Sequence, residues 1–358
     1  MALALLALAL VATPVAAATR QPLTEQLAAF DVPDPADPVR DAVIERANPP
    51  LSRTSATSEG RSYRIDGATA SVVSIQVSSL CASPPLAGGC NPPADPAALA
   101  GFLATLPHGT ELDLLRVLMV TQAEITSICG PGTLACYFPS QNQMVVRGNA
   151  FPPAGGVSRD FVVAHEYGHH LANHRRNSPW DALAWGPKRW ATFERVCQGV
   201  VGGVYFPGDQ GAHYFENPGE AFAEAYAFGR FPAETPWAWI SSLQPTVQSI
   251  EKIRDDAFDP WNGPQRLRWR GRLGTQRNSV TRSFATPLDG NLTARLKSAR
   301  GTSFNLRLLG AGSNRLLRVV NVASRRRVAL TVCGASSIRL RVGRRRGAGR
   351  FTVTVFRP

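Results

Sequence analysis

The charge of this 358-residue chain changes sign near residue 264. Residues 1–263 carry 17 Lys and Arg against 25 Asp and Glu, a net −8, whereas residues 264–358 carry 22 against 1, a net +21. A chain of this length exceeds the size at which single hydrophobic cores stop growing. The helix and strand breaker Pro260-Trp261-Asn262-Gly263-Pro264 lies at the change. Two folded parts are therefore expected, 61–263 and 264–358. With 44% hydrophobic and 18% charged residues, the composition excludes a disordered chain.

The two parts differ in periodicity. The region before 264 mixes strands and helices. Ser62 to Ser79, rich in β-branched residues around Asp66-Gly67, reads as a hairpin. Leu114 to Val120 and Met144 to Val146 read as strands, and helical stretches are expected at about 158–175, 180–200, 218–229 and 242–256. After 264 period two recurs in short runs between Gly-rich turns. Ile338, Leu340 and Val342 alternate with Arg339 and Arg341, and Phe351, Val353 and Val355 with Thr352 and Thr354, which predicts an antiparallel β-sandwich. The predicted fold class is an α+β domain followed by an all-β sandwich domain.

Residues 1–18 are almost wholly Ala, Leu and Val and close on Ala16-Ala17-Ala18, the pattern of a signal peptide. Pro14 interrupts the run, which is short for a membrane span. Residues 19–60, with Pro33, Pro35, Pro38, Pro49 and Pro50, read as a pro-segment or linker. A secreted, extracellular or surface-associated protein is expected, with no transmembrane segment once the signal is cleaved. Its 6 cysteines then form disulfides. Spacing favours Cys81 with Cys90 and Cys129 with Cys136, leaving Cys197 with Cys333 as a tie between the two parts.

The chemistry is concentrated in one short segment. Four of the 6 histidines fall within residues 165–174. Ser158 is a plausible N-cap for a helix carrying His165-Glu166-Tyr167-Gly168-His169. Two histidines four apart share one helix face and can reach one metal ion, with Glu166 beside them as a base for water. A third ligand is needed. The metzincin spacing requires Gly and His at positions held by Ala172 and Arg175. The alternative is Glu220 from a later helix, with Glu224 one turn on to orient a histidine. Glu220 also fits a capping box begun by Asn217 and Pro218, a role that needs no metal. His170 and His174 read as helix-surface residues, and Trp180, Trp185 and Trp190 as core or cleft-wall aromatics.

His165-Glu166-Tyr167-Gly168-His169 and Glu220-Ala221-Phe222-Ala223-Glu224-Ala225-Tyr226 resemble the paired motifs of gluzincin-type zinc metallopeptidases, locally those of the catalytic domain of anthrax lethal factor. The resemblance covers roughly residues 110–230. It implies a zincin-like catalytic domain in which His165, His169 and Glu220 bind Zn²⁺ and Glu166 is the general base. The catalytic tyrosine of that toxin precedes the ligand Glu by seven residues. Here that position is His213 and Tyr214 follows, so Tyr214 is a candidate for oxyanion stabilisation with His213 as its rival. In many zincins an edge strand pairs with the substrate backbone, and Gln141 to Val146 stands at the matching place.

Residues 280–358 resemble the pre-peptidase C-terminal β-sandwich of secreted bacterial peptidases, which implies an accessory role. Net +21 favours anionic partners such as cell-wall polymers. Arg325-Arg326-Arg327 and Arg344-Arg345-Arg346 lack aromatic neighbours, so no specific nucleic-acid recognition is expected. The expected function is zinc-dependent endopeptidase activity on peptide or protein substrates. Its rival is a polyanion-binding protein with an inactive or structural zinc domain.

Overall fold

The computed structural model describes residues 61–66, 72–79, 95–148, 157–310, 316–321 and 327–358. The expected signal peptide (1–18), the pro-segment (19–60) and the Cys81–Cys90 pair lie outside these residues.

The chain before 264 is a mixed α/β layer structure. Five strands, β1 (Arg61–Asp66), β2 (Val72–Ser79), β3 (Arg116–Val120), β4 (Cys136–Phe138) and β5 (Gln143–Arg147), form one sheet in the order β1-β2-β3-β5-β4. β2, β3 and β5 run parallel, while β1 and β4 are antiparallel edges. β3 is apolar on both sides because both sides are covered. Val117 and Met119 join the main core, whereas Leu118 and Val120 pack with Ile125 and Val145 in a smaller cluster beneath helix α2 (Gln122–Cys129). The Cys129–Cys136 disulfide closes that side.

On the main face lie α1 (Pro96–Thr105) and the long helix α3 (Arg159–Asn173). The stretch expected as one helix at 180–200 is three short ones: α4 (Ala182–Trp185), α5 (Lys188–Phe193) and α6 (Val196–Val201). Gly186, at φ 77, and Pro187 end the first, and Arg195, at φ 57, separates the others. Helix α7 (Pro218–Phe228) follows. The helix expected at 242–256 is split by Pro245 into a 3-10 turn, Ser241–Leu243, and α8 (Val247–Phe258), which begins with a Thr246–Ser249 capping box. Trp180, Trp185 and Trp190 are buried, the first two stacked with ring centroids 4.7 Å apart.

The C-terminal part contains two four-stranded antiparallel sheets that share a second core. β6 (Gln265–Leu273), β8 (Gly290–Ser298), β11 (Arg327–Val332) and β13 (Gly349–Arg357) make one sheet, ordered β11-β8-β13-β6. β7 (Ser279–Thr286), β9 (Ser303–Gly310), β10 (Leu316–Asn321) and β12 (Ser336–Arg346) make the other, ordered β10-β9-β12-β7. The alternating residues noted in the sequence behave as expected, with Ile338, Leu340, Val342, Phe351, Val353 and Val355 all in this core.

The sandwich is fastened to α5 and α6. Cys197 on α6 is bonded to Cys333. The fully buried Lys188 donates to Ser178 O at 2.8 Å and Asp289 O at 3.0 Å, and lies over the Trp261 ring at 4.6 Å. Burial pushes its amine down to about 8. Asp289, the one acidic residue after 264, is itself buried here, where its main-chain N–H donates to Thr192 Oγ1 and its carboxylate accepts from Gly334 N.

Candidate metal centre

Helices α3 and α7 make the centre. α3 starts at Ser158, whose hydroxyl accepts the Phe161 N–H at 3.1 Å. Its apolar residues, among them Phe161, Val163, Ala164 and Leu171, anchor it in the main core, leaving His165 and His169 on the face turned toward α7. α7 starts at Asn217, whose side chain accepts from Gly219 N at 3.0 Å. The two helices meet with almost no space. A Cβ placed on Gly168 falls 2.8 Å from Ala223 Cα, below any real contact, so the glycine of H-E-x-G-H is what lets α7 lie this near. Ala223 sits between Glu220 and Glu224, and the close approach carries both carboxylates to the histidines.

His165 Nε2 lies 3.5 Å and His169 Nε2 3.3 Å from Glu220 Oε2. These are long for hydrogen bonds. They match the edges of a metal tetrahedron instead: ligand atoms about 2.0–2.1 Å from a zinc ion stand about 3.3–3.4 Å apart. The three ligand atoms all lie within 4.8 Å of one another, so the group can hold a metal ion. His165 Nδ1 is 2.8 Å from Glu224 Oε2. A carboxylate oxygen accepts, which puts the ring proton on Nδ1 and turns the Nε2 lone pair toward the centre.

Glu220 is held by two donors, one on each carboxylate oxygen. Gln210 Nε2 donates to its Oε1 at 2.6 Å and the Tyr214 hydroxyl donates to its Oε2 at 3.1 Å. Its side chain therefore points to the histidines, and the N-cap bond is supplied by Asn217 alone, so the capping-box alternative is not the arrangement found. Burial works against the charge on Glu220, but the facing His169 and His165 hold its carboxyl well below the usual range. Glu166 is driven the other way. Burial raises its carboxyl, opposed by His165 and His169. His165 loses by burial yet gains from Glu220 and Glu224, which lift it to about 10. A metal ion at Nε2 must displace that proton.

Of the two rival residues, Tyr214 reaches the centre. His213 stacks on Phe206 at 3.8 Å between ring centroids and lies 3.9 Å from Glu216, away from Glu220. Burial, together with Glu220, pushes the Tyr214 phenol well above its ordinary value.

Two expectations are corrected. His170 is not a surface residue. It is fully buried, with Nε2 2.8 Å from Glu111 O and Nδ1 2.9 Å from the Tyr137 hydroxyl, and burial lowers it to about 4. His174 is half-buried against Asn142 Oδ1 at 2.8 Å. Both face the sheet side of α3, where a polar network runs through Glu111, which accepts from Tyr167 OH at 2.8 Å and pairs with Arg175 at 2.8 Å. Nor is β5 a free edge, because β4 pairs with Gln143, Met144 and Val145.

Gln210 and Trp239 were missed by sequence reasoning. Trp239 stands 6.0 Å from the His165 ring and 6.1 Å from Tyr214. Both residues lie in irregular segments whose local pattern carries no metal-site signal.

No protein-family model matches the chain. No curated protein matches it either. Among solved structures, the Yersinia pseudotuberculosis-derived mitogen is similar at 13% identity over 26% of this chain and 87% of that chain, with a TM-score of 0.23. Aeromonas hydrophila PliG, a periplasmic lysozyme inhibitor, is similar at 8% identity over 27% of this chain and 89% of that chain, with a TM-score of 0.23. At such scores neither likeness carries an argument about this chain.

Proposed function

We propose that the chain is a secreted zinc-dependent endopeptidase with a zincin-like catalytic domain of the gluzincin type. The observation that carries this reading is the convergence of His165, His169 and Glu220 on one point with Glu166 beside them. Three N/O ligands suit zinc and leave a fourth position for water or substrate, whereas a structural site closes with four protein ligands. A zinc ion there supplies a Lewis acid for the peptide carbonyl and lowers the pKa of the attacking water.

The residues of this chain do the rest. Glu166 takes the proton of the attacking water and returns it to the leaving amine. Burial raises its carboxyl, which favours uptake of a proton from water. Glu224 keeps His165 in the tautomer that offers Nε2. Tyr214, whose hydroxyl donates to Glu220 Oε2, would turn that one donor to the developing oxyanion. The Cys129–Cys136 and Cys197–Cys333 disulfides support an oxidising, extracellular location. Among the described residues no helix is long and apolar enough to cross a membrane.

The test is Glu166→Gln. It is expected to keep zinc per chain at the wild-type value while peptide hydrolysis falls by about 10²–10⁴-fold, the usual contribution of a general base. Wild-type turnover in the variant refutes the mechanism.

A further inference from the structure

We propose that the outer face of the β11-β8-β13-β6 sheet is a trough that binds one strand of a linear, base-free phosphodiester polymer between two rails of cations. The inference is independent of the metal chemistry and holds whether or not the chain is a peptidase.

The first rail is β6. Arg266, Arg268, Arg270 and Arg272 are exposed, while Leu267, Trp269 and Leu273 turn to the core. Alternate residues of an antiparallel strand lie about 6.8 Å apart, so the four guanidinium stems form a comb about 20 Å long. The second rail is Arg295 and Lys297 on β8, with Arg327 paired to Arg295 from β11. All three are exposed.

Between the rails runs β13. Thr352 is paired with Arg270 on one side and Lys297 on the other, and Thr354 with Arg268 and Arg295. Paired residues point to the same face. These two rows read cation, threonine, cation, and with strands about 4.8 Å apart the rails stand about 10 Å apart there; the floor between them is Thr352 and Thr354, with the exposed Arg350, paired with Arg272, at one end and Phe356, paired with Arg266, at the other. Long side chains on both sides of short ones make a channel rather than a flat surface.

Three observations select the occupant. A channel of that width takes a single strand, not the plane of a bilayer or the bulk of a duplex. Six of the seven rail cations are arginine, whose planar fork matches the two free oxygens of a phosphodiester. Single-stranded nucleic acid is held largely by stacking on aromatic side chains. The one aromatic on this face among the described residues is Phe356, at the end of the floor and covered by Arg295 at 5.7 Å. The charge is also uncompensated. Among the described residues no rail cation forms an ion pair, and Asp289, the only acid after 264, is buried at the junction with α5.

The experiment measures binding of the full chain to purified poly(glycerol phosphate) across a salt series. It includes a non-repetitive single-stranded DNA and acidic phospholipid vesicles as comparisons. The variant R266Q/R268Q/R270Q/R272Q is set against R307Q/R341Q/R345Q/R346Q, which removes the same charge from exposed positions on the other sheet. Each phosphate contact on a single strand contributes about 0.7 to the slope of log affinity against log salt, so the trough variant is expected to lose about 3 from that slope and the control less than 1. If the first variant loses its native near-ultraviolet circular dichroism, R295Q/K297Q/R327Q replaces it, with an expected loss of about 2. Equal losses from both sheets overturn the trough in favour of diffuse net charge. Tighter binding to DNA or to vesicles than to the polymer overturns the assigned occupant.

Discussion

Replacing Gly168 by alanine tests whether close helix packing builds the metal centre. The added Cβ would stand 2.8 Å from Ala223 Cα, 3.2 Å from Ala223 O and 3.3 Å from Ala223 Cβ. Carbon atoms in good contact lie about 3.5–4.0 Å apart, so α3 and α7 must separate by roughly 0.7 Å or more. Two of the three clashing atoms are backbone and cannot rotate away. Overpacking of this kind costs about 1–3 kcal/mol, which for a folded part the size of residues 61–263 lowers Tm by about 2–12 °C. The same movement takes Glu220 Oε2 away from histidine nitrogens now at 3.3 and 3.5 Å. If bound zinc must pull the helices back against that strain, affinity falls by about 5- to 150-fold, at tenfold per 1.4 kcal/mol. Thermal unfolding of the metal-free protein reads the first effect, and zinc competition against a chromophoric chelator reads the second. The double variant G168A/A223G separates backbone from side-chain crowding, because removing the Ala223 methyl leaves Cα and O in place. Wild-type Tm and zinc affinity in G168A, or full rescue by A223G, would refute the packing argument.

Two further outcomes follow from the same geometry. If the proposed zinc site is right, Glu220→Ala is expected to weaken zinc binding more than Glu224→Ala, because the first would remove a ligand atom and the second an orienting bond worth about 10–100-fold; the reverse order in a chelator competition moves the ligand to Glu224. Asp256 is buried under α5, accepting from Arg189 N at 3.1 Å and Trp190 N at 2.9 Å, and burial pushes its carboxyl from 3.8 up to about 7. Its folded value lies above its unfolded one, so its stabilising contribution is full below pH 3.8 and is lost as pH rises through about 7. In Asp256→Asn the fall of stability between pH 4 and 7 is expected to be shallower, by at most one proton or about 1.4 kcal/mol per pH unit. An unchanged pH profile from denaturant titrations shows that Asp256 does not titrate there.

Much of the organisation is legible in the residues because it depends on local rules. The period-two runs after 264 became strands, since a sandwich strand is recognised by its own alternation. The i, i+4 spacing placed His165 and His169 on one helix face without reference to anything else. Proximity in sequence was enough to pair Cys129 with Cys136.

Other features needed the assembled fold. His170 looked like a surface residue because helical spacing gives the angle between neighbours and not the side of the helix that is covered. The sheet and Glu111 buried it. The 180–200 segment reads as one helical stretch from its hydrophobic spacing, but Gly186, Pro187 and the left-handed Arg195 break it into three, and two of these carry the junction with the sandwich. Glu220 could be a cap or a ligand on sequence grounds, and only the contact of Gly168 with Ala223 brings its carboxylate to the histidines. Gln210 and Trp239 carry no local signal at all, for they matter through what they lie against. The sequence by itself determined which residues could share a helix face or a strand face, because those are properties of a few adjacent bonds. Which faces met, and so which side chains converge on one point, was decided by tertiary packing, where distances of a few ångströms join residues dozens of positions apart.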